Sequence, residues 1–236
     1  MHPLLQASIE DLYVAFERPH PDQLTGCPCC TTPWELERIA MTPLRRLGVD
    51  DLRSYASKAM TTIGDASDFR YFWPRLAELA VSLGPAEYVT DPEILLGKLA
   101  YWNWRTWPER ERAATEAFLA ALVLRMRDEE LPPDEVDHWV CGVARALEDV
   151  TPLLERALLA ETPAASANLH AFYDWNRRDL EKRGRLHGAF WRPIGADGRA
   201  GPLTEAGARV VAWLRHPHVL AAVDRAYAAA AQQEDQ

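Results

Sequence analysis

Helix-start signals recur along this chain at short intervals, and they leave little room for any other kind of structure. Thr32-Pro33-Trp34-Glu35 is a complete one. The threonine can cap, proline loses nothing at the first helical position, and a glutamate at the third can return a hydrogen bond to the cap. Thr90-Asp91-Pro92-Glu93 repeats the device, Thr106-Trp107-Pro108-Glu109 varies it, and Thr151-Pro152 and Thr162-Pro163 carry its core. Proline here separates helices, since its missing N–H is harmless only in a first turn.

Between these signals the apolar residues keep a period near 3.6. Leu4, Leu5, Ile9, Leu12, Tyr13 and Phe16 predict an opening amphipathic helix. Further helices are expected over 51–61, 93–102, 108–127, 133–148, 152–159, 164–183, 205–215 and 217–231. Period-2 alternation is nearly absent, so the fold class is all-α. Short links suggest an irregular multi-helix bundle or a short, solenoid-like stack of helix pairs, and no fixed repeat period favours a regular solenoid. The break in the pattern is Phe190 to Pro202, where the Asp197-Gly198 turn suggests a short hairpin or an ordered loop. A single helical domain over 1–236 is expected, with a subdomain boundary, if there is one, near 128–133 at Pro132-Pro133.

With 236 residues and 48% hydrophobic content the chain can bury a real core. Its 26 basic and 35 acidic residues leave a formal charge of −9. That excludes a continuous nucleic-acid footprint, which needs clustered Lys and Arg. The densest basic run, Arg177-Arg178 to Lys182-Arg183-Arg185, reads as a solvated helix end. No apolar run approaches the roughly twenty residues that span a bilayer, and the N-terminus lacks the basic start of a secretory signal. A cytoplasmic location is expected, with no membrane partner.

Three of the four cysteines fall in one tetrapeptide, Cys27-Pro28-Cys29-Cys30. Downstream runs Thr61-Thr62-Ile63-Gly64-Asp65-Ala66-Ser67-Asp68-Phe69. Together the two motifs resemble a group of uncharacterised bacterial proteins carrying a Cys-Pro-Cys-Cys cluster and a Thr-Thr-x-Gly-Asp-x-x-Asp-Phe string. The resemblance covers about the first third of the chain. It implies a bacterial, cytosolic, helical protein and transfers no activity and no functional residue.

Read physically, Gly64 can end one helix in a left-handed conformation, and Asp65 or Ser67 can cap the next. Asp68 suits the positive end of that helix. Asp65, Asp68 and Arg70 also suggest a pocket beside Tyr71, although capping and ion pairing account for them without a ligand.

Cys27 and Cys30 make a Cys-x-x-Cys pair just ahead of a helix start, where the dipole acidifies thiols. No strand precedes it, which weakens a thioredoxin-like reading. Zinc in a structural site takes four ligands. His138 and Cys141, three apart on one predicted helix, can supply the missing two, for a Cys3His zinc site of Cys27, Cys30, His138 and Cys141 with Cys29 left over; His20 is a nearer alternative. Simple burial of Cys141 is the competing account. Glu135-Val136-Asp137-His138 has a di-iron spacing but lacks the second copy such bundles need.

No nucleophile-elbow, P-loop or dinucleotide signature is present, and no reaction can be assigned. Trp102, Trp104 and Trp107, with Arg105, crowd a helix junction and cannot all share one face. Exposed tryptophan beside arginine marks protein-binding hot spots, against the commoner fate of core packing. The leading expectation is therefore a non-enzymatic module that binds another protein, as an adaptor, chaperone-like or inhibitory partner. The alternative is a metal- or thiol-dependent protein working through the Cys27–Cys30 loop.

Overall fold

The computed structural model describes residues 1–59, 61–82, 89–192 and 202–234. They form eleven α-helices and no strand: α1 Pro3–Ala15, α2 Pro33–Met41, α3 Val49–Lys58, α4 Ala66–Ser82, α5 Pro92–Tyr101, α6 Glu109–Leu124, α7 Pro133–Ala146, α8 Thr151–Leu158, α9 Pro163–Arg183, α10 Glu205–Leu214 and α11 Pro217–Glu234. Among the described residues no helix is long and apolar enough to cross a membrane. The chain divides within α6 into two compact units, Met1–Phe118 and Leu119–Gln236. That division lies upstream of the diproline at Pro132-Pro133.

Local chemistry explains most helix starts. Thr32 Oγ1 accepts the Glu35 N–H at 3.3 Å while Glu35 Oε2 accepts the Thr32 N–H at 2.9 Å, a reciprocal capping box. Thr162 and Thr204 cap α9 and α10 through the N–H groups of Ala165 and Gly207. Two starts differ from expectation. Asp91 rather than Thr90 flanks α5. Thr151 is already helical, because the Asp149 carboxylate takes both its N–H and its hydroxyl. Pro74 stands inside α4 with no N–H to give to the Arg70 carbonyl, and packing outweighs that loss: Phe69, Phe72, Trp73 and Leu76 on the same helix are fully buried.

In the first unit α1 packs on α4, α2 on α3, and α3 on both α4 and α5. Leu5, Ile9 and Leu12 of α1, the α4 aromatics, and Leu95, Leu96 and Leu99 of α5 are all buried in this unit. Phe16 and Trp107 meet edge to face at 5.6 Å, and Trp73 meets Phe118 likewise at 5.7 Å.

The second unit is built on α9, which packs against α7, α8 and α11. Two buried amides on α9 organise it. Asn168 donates to the Met126 and Glu129 carbonyls and accepts the Leu131 N–H, so all its bonds go to the turn before α7. Asn176 donates to Asp137 at 2.9 Å and accepts the His187 N–H at 2.8 Å. A 3₁₀ turn over Ala189–Trp191 opens the segment read as a hairpin or loop, and Thr204 N–H bonds the Trp191 carbonyl at 2.9 Å. The Asp197-Gly198 turn lies outside the described residues.

Candidate functional site: a three-thiol loop

The cysteine loop is held by backbone bonds that do not involve sulfur. Gly26 pairs with Ile63 in an isolated antiparallel bridge. Cys27 N–H bonds the Thr62 carbonyl and Gly64 N–H bonds the Thr25 carbonyl, both at 2.8 Å. The Thr-Thr-Ile-Gly-Asp string is thus the rail against which the loop is set. It is fixed in turn by the end of α3, since the N–H groups of Thr61, Thr62 and Ile63 all bond the Lys58 carbonyl.

The Lys98 ammonium, almost buried, reaches the same helix end and donates to the Ser57 and Ala59 carbonyls at 3.0 Å. A cation there is favoured both by the orphan carbonyls and by the helix dipole. Gly26 has no room for a side chain, since a Cβ would sit 2.6 Å from Thr31 Oγ1.

Within the loop, the Cys27 carbonyl accepts the N–H groups of Cys30 and Thr31 and the Thr31 hydroxyl, at 2.9, 3.1 and 3.0 Å. This winds Cys27-Pro28-Cys29-Cys30 into one tight turn. Lys58 Nζ closes it from outside on the Cys30 carbonyl at 2.8 Å. The Sγ atoms of Cys27, Cys29 and Cys30 all lie within 4.8 Å of one another, and Cys29 Sγ is 3.4 Å from Cys30 Sγ. All three are free thiols, Cys27 half-buried and the other two exposed.

Their proton affinities diverge. Hydrogen bonds from the Cys29 thiol and from the Cys29 and Cys30 backbone N–H groups hold the Cys27 thiol below its ordinary range. Cys29, whose proton is shared with Cys27 and Cys30 and whose charge both would oppose, is pushed up to about 11. Cys27 is the sulfur prepared to be a thiolate. Three sulfurs this close, one of them with a lowered proton affinity, form a donor set for a soft metal ion.

The geometry therefore brings Cys27 and Cys30 together with Cys29, the cysteine that spacing leaves over. His138 and Cys141 both belong to α7 of the second unit, where Cys141 is only 1% exposed. His20 is turned elsewhere, with its Nδ1 2.8 Å from the Pro21 carbonyl.

Asp65 and Asp68 cap α4 on each other. Asp65 Oδ1 accepts the N–H groups of Ser67 and Asp68, and Asp68 Oδ2 accepts the Asp65 N–H at 2.9 Å. Arg70 grips Glu111 side-on at 2.6 and 2.7 Å, and Arg18 bonds the same carboxylate. Asp68, Arg70 and Tyr71 line a recess of about 440 Å³ with Arg18, His20 and Asp22, which no local sequence signal joins to them.

Trp104 and Trp107 do not form a surface. They are 3% and 8% exposed, and Trp102 is half-buried. A 3₁₀ turn entered through Asn103 in the left-handed region rolls Trp104 inward, and Arg105 lies over its ring at 5.3 Å. Exposed large apolar side chains include Tyr101, beside this turn, and Trp34 and Met41 of α2. No protein-family model, curated protein or solved structure matches the chain.

Proposed function

We propose that this chain is a metal-binding protein whose first unit takes up a thiophilic ion on Cys27, Cys29 and Cys30. The convergence of three Sγ atoms within 4.8 Å supports this, on a loop whose shape is set by backbone bonds and is ready before any ion arrives. Of the residues expected to bind a protein partner, Trp104 and Trp107 are buried, while Trp102 is half-buried and Arg105 exposed.

The ligands also indicate what the ion is for. A structural zinc stabilises a small domain by tying together distant segments that the unfolded chain holds apart. Three ligands within four residues close almost no loop, so binding removes little chain entropy and adds little to the fold. The ion itself is then the point, whether it is carried or sensed.

The test is metal titration of the reduced, chelator-stripped chain with its thermal midpoint followed in parallel. One ion per chain is expected, lost in Cys27→Ser and kept in Cys141→Ser, with the midpoint of Cys27→Ser within a few degrees of the parent. Loss of the ion in Cys141→Ser would instead favour the Cys3His set with His138. Retention in Cys27→Ser would remove the loop from consideration.

A further inference from the structure

The donor set narrows the ion and points to how it leaves. All three donors are sulfur, and thiolate sulfur selects soft cations, Cu(I) among the foremost. The number is three: among the described residues of the first unit, no other Cys, His, Asp or Glu places a ligand atom with them. Structural zinc takes four protein ligands, and zinc on three needs a water in the fourth position, whereas Cu(I) is satisfied by three thiolates alone.

Charge agrees. Three thiolates around a monovalent ion leave two negative charges, and a cation and N–H donors lie close to the loop, with the Glu35 carboxylate also near Lys58. The Lys58 ammonium sits on the Cys30 carbonyl, the Cys29 and Cys30 N–H groups point at Cys27, and α2 begins three residues after Cys30. Exposure agrees too, because Cys29 and Cys30 face solvent, where an outside ligand can reach the ion.

Resting on the reading that the loop binds metal, we infer that its ion is Cu(I), held three-coordinate by Cys27, Cys29 and Cys30, and that it passes to an outside thiolate from the exposed side formed by Cys29 and Cys30. In the exchange step an incoming thiolate forms a bond to copper and the bond from one of the two exposed sulfurs, Cys29 or Cys30, breaks. That cysteine leaves as a thiolate and takes a proton from water. Copper stays Cu(I), no electron moves, and one thiolate replaces another, so the charge on the ion's ligand shell is unchanged. Cys29 and Cys30 are the exposed donors and so the ones an outside thiolate meets. Cys27, half-buried and fed by two backbone N–H groups, is the anchor.

The experiment loads the full, reduced chain anaerobically with Cu(I) as its acetonitrile complex. It reads the number of sulfur neighbours by X-ray absorption, the affinity against a colorimetric Cu(I) chelator, and the rate of transfer to glutathione. One copper with three sulfurs is expected. Cys29→Ser should keep one copper with two sulfurs, bind it roughly tenfold more weakly or worse, the scale on which even outer-shell partners matter, and release it faster.

Cys29→Ala guards against a serine oxygen standing in as third ligand. Cys29 is exposed, and an unchanged helical circular dichroism spectrum shows that both variants fold. Two sulfurs in the parent chain, a multi-copper cluster, or a Cys29→Ser variant indistinguishable from the parent overturns the inference. If Zn(II) binds one per chain while Cu(I) gives no three-sulfur site, the metal-binding role stands and the copper assignment falls. If neither ion binds, both fall.

Discussion

Cys27 and Cys29 are two residues apart, and their reactivities should differ by more than their exposure. With its pKa near 11, Cys29 is ionised in only about one molecule in a thousand at pH 8, whereas Cys27 is held below the ordinary thiol value. Cys29 is the more exposed, but the thiolate is the nucleophile, and a large deficit in thiolate outweighs a modest gain in access. Limited iodoacetamide labelling of the metal-free chain at pH 7.5, read by peptide mass spectrometry, should therefore mark Cys27 before Cys29. Labelling of Cys29 ahead of Cys27 would contradict this ordering. The Cys-x-x-Cys spacing gave no hint of this order, because it arises from where the Cys29 and Cys30 N–H groups point. That direction is fixed by Thr62, thirty-five positions downstream of Cys27 and bonded to it.

At the scale of elements, the joint between the α3 end and α4 rests on Gly64. Its φ is +65°, a conformation that costs an L residue about 1 kcal/mol or more. A Cβ there would also lie 2.8 Å from Asp68 Oδ2 and 3.2 Å from Leu24 Cδ1. Both contacts belong to working parts, the α4 cap and the segment leading to the cysteine loop. Gly64→Ala should lower unfolding free energy by about 1–3 kcal/mol in urea titration of the metal-free chain. It should also weaken metal binding, because the Gly64 N–H bond to Thr25 is one rail of the loop. A variant with unchanged midpoint and unchanged affinity would show that this joint does not set the site.

The left-handed turn at Gly64 and the Asp65 and Asp68 caps are legible in the sequence because they are set within four residues, whereas the Gly64 bond to Thr25, 39 positions back, is not. The recess near Arg70 is only half legible. Asp68, Arg70 and Tyr71 announce themselves by proximity along α4, while Glu111, the carboxylate that holds both Arg70 and Arg18, lies 41 and 93 positions away from them.

For the molecule as a whole, Asp137 in the core of the second unit is a group that ties stability to pH. It is 1% exposed, and burial raises its pKa despite hydrogen bonds from Asn176 and Trp191. The unfolded chain titrates it near an ordinary 3.9. Between that value and the raised one the folded state binds the extra proton, so the Asp137 contribution to stability falls as pH rises through the window. Asp137→Asn keeps an acceptor for both donors and removes the charge. Its stability relative to the parent should therefore improve steadily from pH 4 to pH 7 in urea titrations. A difference independent of pH would show that the carboxyl ionises as easily inside as outside.

The amino-acid sequence alone determined the all-α class, most helix starts and the identity of the cysteine loop as the chemically distinctive segment. These rest on capping, proline geometry and a 3.6-residue period, interactions that close within a turn or two of helix. Only tertiary structure decided that Cys29 joins Cys27 and Cys30, that Trp104 and Trp107 are core, and that Glu111 serves two arginines. Those outcomes depend on packing between segments tens of residues apart, where many placements satisfy the same local pattern and the burial of the whole unit selects one.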